Sequence, residues 1–157
     1  MNSHEDATYR LKLAKGYLSR AETDAMDGQW DGCLANAQEA VENAGKCVLA
    51  NFRPVPKAHD VDESIERLLK HGDVPPTVKS KIEARLESFK GMGMDTHVRA
   101  TYGDEEHYTP PWELIDESES KVGLEKARRA VALAEEIFAE MTGLSTSKSG
   151  VPDATDE

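Results

Sequence analysis

Apolar residues recur at helical spacing along most of this chain, and the pattern predicts helices and no strands. The densest stripe lies between Trp30 and Phe52, where Leu34, Ala37, Val41, Ala44 and Val48 fall on one face, with Cys33, Ala40 and Cys47 beside them. The rest of the chain is expected to pack on that helix. Before it, a helix from about Glu5 to Met26 carries Tyr9, Leu13, Tyr17, Leu18 and Ala21 near one face. Asp27-Gly28 stops it and leads directly into the next helix, a connection short enough to force the pair antiparallel. Gly16, Gly32 and Gly45 inside these helices each cost about 1 kcal/mol against alanine, so close helix contact is expected there.

Pro54 and Pro56 end the second helix near Asn51-Phe52. A third, from about Val61 to Lys70, is expected to take Asp60 or Asp62 as its cap and to turn Val61, Ile65, Leu68 and Leu69 inward. Pro75 and Pro76 open a fourth, with Val78, Ile82, Leu86 and Phe89 as its core stripe. Gly91-Met92-Gly93-Met94 breaks it, and the following DTHVRATYGDEEHYTPP reads as a polar segment without regular structure. A fifth helix starts after Pro110-Pro111, runs to about Met141 and is ended by Gly143. The fold class is therefore all-α, an up-and-down antiparallel four-helix bundle with an additional short helix, about five helices in residues 5–142. Residues 143–157 carry too little apolar surface to offset the entropy of ordering and read as a disordered tail.

A chain of 157 residues is enough for one domain with a proper core. Its 19 basic residues against 30 acidic ones give a formal charge of -11, which argues against a broad grip on phosphate backbones and makes any nucleic-acid contact local. No apolar run is long enough to span a bilayer, and MNSHEDAT lacks the basic start and apolar centre of a signal peptide, so a cytoplasmic protein without membrane contact is expected. Cys33 and Cys47 lie on one helix about 21 Å apart at 1.5 Å rise per residue, too far to bond to each other. The five histidines show no metal-ligand spacing, and neither a metal nor a cofactor is expected.

What remains for chemistry comes from two segments. Gln38, Glu42 and Lys46 recur every four residues along the edge of the central stripe; an exposed Glu42–Lys46 pair with Gln38 solvated beside it would be worth only about 0.2–0.5 kcal/mol. Arg99, Tyr102 and His107 follow the fourth helix, and His97 and His107 read as exposed residues of a polar loop. Nothing resembles a nucleophile elbow, a phosphate loop or a dinucleotide fingerprint.

The order Trp30, Cys33, Ala37, Gln38, Ala40, Glu42, Lys46, then a loop and His59-Asp60, with Arg99 to Tyr102 and a long last helix beyond, resembles the HEPN family over roughly residues 7 to 142. The resemblance implies a four-helix core, often a homodimer, and one of two functions. In one strand of the family an Arg, four to six intervening residues and a His cleave RNA without metal, the neighbouring 2′-hydroxyl acting as nucleophile. In the other, the protein works with a minimal nucleotidyltransferase as a toxin–antitoxin or substrate-binding pair and is proposed to bind nucleotides. Arg99 and His107 are separated by seven residues, which departs from the ribonuclease pattern, whereas Arg99-Ala-Thr-Tyr102 is similar to the Arg-Tyr element of the second strand with two extra residues. Arg53 and His59 have five residues between them, but the prolines there put them in the wrong place.

The resulting expectation is a nucleotide- or RNA-interacting module with a nucleotidyltransferase partner, its ligand-binding residues being Gln38, Glu42, Lys46, His59, Asp60 and Tyr102. The alternatives are a metal-independent endoribonuclease with Arg99 and His107 as catalytic residues, or a structural adaptor that binds another protein. In the structural reading Arg99 pairs with a carboxylate such as Glu42.

Overall fold

The computed structural model describes residues 3–149, with side-chain surroundings for residues 3–143. Seven α-helices follow one another among the described residues: α1 Ser3–Met26, α2 Trp30–Ala50, α3 Asp62–His71, α4 Pro76–Ala84, α5 Met94–Tyr102, α6 Pro111–Leu114 and α7 Glu117–Ser149. A 3₁₀ turn, Leu86–Phe89, lies between α4 and α5. No strand forms among these residues, and one isolated bridge joins Asp104 and Thr109.

The central stripe behaves as its pattern requires. Every residue of α2 from Val41 to Ala50 is buried, because α1, α3, α5 and α7 all pack on it. Gly28, at φ 69°, closes the turn between α1 and α2, and a positive φ of this kind carries no steric penalty for glycine. Contacts set the directions of the helices. Glu22 meets Arg128, Lys15 meets Glu135 and the His4 ring stacks on Phe138, so α7 runs antiparallel to α1. Ser120 Oγ donates to the Trp30 carbonyl at 2.9 Å and Leu34 lies against Gly123, so α7 starts level with α2 and runs parallel to it. With α5 running back along α2, the helices α1, α2, α5 and α7 alternate in direction, an all-α up-and-down bundle.

Several local expectations need correction. The fully buried residues of α1 are Ala7, Ala14 and Ala21, one small residue every two turns; Tyr17 and Leu18 pack half-buried against the core as expected, while Tyr9 is exposed. Of the helical glycines, Gly32 faces Asp24 at 2.9 Å and Gly45 faces Val61 at 2.5 Å from a built Cβ, whereas Gly16 has nothing within 4 Å. The fourth helix stops at Ala84, where Arg85 leaves helical geometry, and Leu86 and Phe89 sit in the 3₁₀ turn. The segment after Gly93 is helix α5 and not a loop. The fifth helix is split at Ile115-Asp116, where the Asp116 carboxylate accepts the Glu119 amide at 2.8 Å and opens α7. That helix passes Gly143 and reaches Ser149. Residues 150–157 of the expected tail lie outside the described residues. No helix among them is long and apolar enough to cross a membrane.

Candidate functional site

The three polar residues of α2 are inside the protein. Gln38, Glu42 and Lys46 are 0%, 5% and 7% exposed, so the exposed i,i+4 pair of the sequence reading is replaced by a buried network. Glu42 is its hub: Oε1 accepts from Lys46 Nζ at 2.7 Å, and Oε2 accepts from Gln38 Nε2 at 3.0 Å and from His59 Nδ1 at 2.8 Å. Burial acts to raise the Glu42 carboxyl, and the hydrogen bonds from Lys46, His59 and Gln38 overcome it and hold the group below the usual value of 4.5. Glu42 is thus a fixed anion, and as an ionised carboxylate it can only accept.

That assigns tautomers. His59 must carry its proton on Nδ1 to donate to Glu42. The His97 Nδ1 lies 3.3 Å from Gln38 Oε1, an amide oxygen, and 3.5 Å from Glu39 Oε1, so it too is the donor. The two imidazoles stack with centroids 4.8 Å apart and planes 14° from parallel. In the neutral form each ring keeps the lone pair of its Nε2 for an incoming O–H or N–H. Glu39, beside them, has its carboxyl pushed up from 4.5 by burial and by the Glu42 charge.

Asp60 plays a different part from its neighbour His59. Neither it nor Asp62 caps α3, whose N-cap is Val61 without a side-chain bond. The Asp60 Oδ1 accepts the Met94 amide, the first of α5, at 3.1 Å, and supplies from 34 residues away what an N-cap side chain normally supplies locally. A Cβ on Gly93 would come within 1.6 Å of that oxygen, so glycine is required where the two segments meet. Gln38 Nε2 also reaches the Met92 carbonyl at 3.4 Å. The loop after α2 and the start of α5 are therefore both tied to the polar line of α2.

The remaining sequence-predicted residues lie apart from this cluster. Arg99 forms a two-pronged pair with Glu119, with Nη2 to Oε2 at 3.3 Å and Nη1 to Oε1 as the shorter contact. It does pair with a carboxylate, but at the start of α7 and not with Glu42. The Glu119 hydrogen bond raises the guanidinium further. His107 is exposed in the turn closed by the Asp104–Thr109 bridge, with its Nδ1 2.8 Å and its amide 3.2 Å from the Asp104 carboxylate. These bonds hold Asp104 below 3.8. A cavity of about 300 Å³ is lined by Val98, Arg99, Asp104, Glu105 and Leu114, which brings Arg99 and the aspartate that orients His107 to one depression. Tyr102 is exposed on α5.

The sequence reading missed His97, Glu39 and Glu119. A signal for α5 existed: Gly93 and Gly103 bracket nine residues with Asp95 in the first turn and Arg99 in the last, the charge order a helix dipole favours. Asp116 followed three residues later by Glu119 likewise has the pattern of a capping box opening α7.

Fold and cluster define a helical bundle whose central helix carries a buried polar network opening at two stacked histidines. The HEPN domain matches residues 7–144, and the chain belongs to the HEPN family. No curated protein and no solved structure gave a match. Membership makes this, in general terms, a nucleotide- or RNA-related module.

Proposed function

We propose that the module binds a nucleotide, alone or within RNA, at the Gln38–Glu42–His59–His97 cluster. The observation that carries this reading is the stacked pair of imidazoles, each locked by a bond from Nδ1 and each presenting an Nε2 lone pair. With Glu39, Glu42 and Asp60 against the single cation Lys46, the cluster suits the hydroxyls of ribose and the amino groups of bases better than a phosphate. The ligand is accordingly gripped through its nucleoside part. Titration of the purified protein with adenosine, cytidine and their 5′-monophosphates tests this: we expect the preferred nucleoside to bind within tenfold of its monophosphate, and His97→Ala to weaken both. Binding that requires the phosphate, or that survives His97→Ala, contradicts it.

The proposal extends to a minimal nucleotidyltransferase as partner in a toxin–antitoxin-like pair and to a homodimer, both of which the family resemblance supports. Coexpression should relieve growth arrest caused by this chain alone, and sedimentation should give the mass of two copies.

A second reading, metal-independent endoribonuclease activity, is favoured by one observation: Arg99 and Asp104 line the same cavity, and Asp104 orients the His107 ring. An exposed imidazole braced by a carboxylate suits general acid–base work, and a guanidinium suits a charged phosphorane. Incubation with RNA in EDTA should then yield ends with 2′,3′-cyclic phosphate, lost in His107→Ala. Intact RNA in both samples removes this reading.

A further inference from the structure

The inner face of α5 is spent on the core, where Thr96 and Ala100 are buried. Its outer face carries Met94, Val98 and Tyr102 at spacings of four, so the three form one stripe along the helix, and all three are exposed. The stripe continues beyond α5. Val98 and Leu114 line one cavity with Glu105, which places the 104–109 turn and α6 beside the helix. From these elements Tyr108 projects with 92% and Trp112 with 70% of its surface exposed. Tyr108 also holds a left-handed backbone, φ 54°, a conformation that costs an L-residue about 1–2 kcal/mol. Its ring buries nothing within the fold to offset that cost.

The charge around this apolar face is predominantly negative. Between Met94 and Glu119 the sequence has eight carboxylates, Asp95, Asp104, Glu105, Glu106, Glu113, Asp116, Glu117 and Glu119, and one Lys or Arg, Arg99; Glu119 pairs with Arg99 and Glu117 with Lys121, which leaves the other six without a Lys or Arg partner in this stretch. Exposed aromatic and aliphatic side chains within a rim of like charge are the composition of a protein-binding surface. The rim's sign selects the occupant. RNA would be repelled by it, and a second copy would bring its own eight carboxylates against these.

We propose that the outer face of α5, with Tyr108 and Trp112, docks a basic segment of a partner protein that seats apolar side chains against Val98, Tyr102 and Trp112 while its Lys or Arg residues meet the acidic rim. The surface is separate from the histidine cluster, and the proposal stands whether or not that cluster binds nucleotide; it shares a cavity with Arg99 and Asp104 and is therefore exclusive of the endoribonuclease reading.

Calorimetric titration of the full chain with a synthetic amphipathic helical peptide, Lys and Arg on one face and Leu and Phe on the other, tests it. Two control peptides replace the basic residues by Glu or the apolar ones by Ser. Val98→Ser and Trp112→Ala change exposed side chains, and unchanged circular dichroism melts establish that both variants fold. We expect the basic amphipathic peptide to bind, each variant to weaken it at least tenfold, and neither control peptide to bind within tenfold of it. The proposal is overturned if the peptide does not bind, or if the variants bind it as the parent does, since charge alone would then account for the attraction. It is also overturned if sedimentation shows a dimer that Val98→Ser dissolves, which assigns the face to a second copy, or if an RNA oligonucleotide binds and the same variants weaken it.

Discussion

Glu42 is the residue on which the polar centre depends, because three side chains converge there and the carboxylate accepts from each of them. Breaking a buried pair by removing one partner costs about 3 kcal/mol or more, since the surviving charge stays buried without compensation, whereas replacing both partners by apolar groups of similar size costs far less. Glu42→Leu should therefore lower stability by about 3 kcal/mol, and the double variant Glu42→Leu/Lys46→Met by less, as read from urea midpoints. The pH dependence has a definite sign. The folded-state pKa of Glu42 is depressed below 4.5, so its contribution is complete above the unfolded value and is lost as pH falls through the folded one. Glu39 is displaced the other way; ionising it in the fold is unfavourable, and stability is regained from it as pH falls. Melting measured downward from pH 6 should show a loss below about pH 4.5 that is smaller in Glu42→Leu and larger in Glu39→Gln.

At the scale of elements, burial decides which expectations held. The stripe of α2 was legible because nearly every residue contributing to it meets another helix, and the proline and glycine signals that bound α2 and α3 act through local sterics. Apolar periodicity does not reveal α5, which only its bracketing glycines and charge order mark, since its first amide is bonded by Asp60 from another segment and only two of its nine residues are buried. A helix completed by a distant carboxylate leaves little periodicity to read. The same gap hid His97, whose place in the cluster depends on α5 being helical, while Gln38, Glu42 and Lys46 stand out by their spacing on α2 and His59 through the family resemblance. Glycines divide in the same manner: sequence alone treats Gly16 and Gly45 alike, and packing separates them. Gly16→Ala should raise stability by about 0.5–1 kcal/mol, the helix-propensity gain at a site with open space around it. Gly45→Ala should lower it by about 1–3 kcal/mol despite the same gain, because the new methyl meets Val61, itself buried, at 2.5 Å. Thermal or denaturant melts of the two variants side by side check both signs.

For the molecule as a whole, the -11 charge and the buried network lead to one picture. An acidic bundle cannot hold nucleic acid by its surface field, so recognition has to be local and short in range. The place where the interior polar line of α2 reaches solvent is the His59–His97 pair, with its ring orientation fixed from below by Glu42 and Gln38. Arg99 and His107, tied to Glu119 and Asp104, belong to a separate station, since Arg99, two residues after His97 on α5, meets Glu119 and lines a different cavity. The HEPN family resemblance and the family match agree over nearly the same residues, and the structure adds the division into two stations, which the linear order of the residues conceals.

Nucleotide binding at the histidine pair is read most directly from the imidazole NMR signals of His59 and His97 during titration with the preferred nucleoside 5′-monophosphate, assigned by the single variants His59→Gln and His97→Gln. Both sets of Nε2 and Cε1–H signals should move together and saturably, with those of His107 unchanged. Movement of the His107 signals alone, with His59 and His97 silent, would contradict this assignment and place nucleotide binding at the Arg99 station instead.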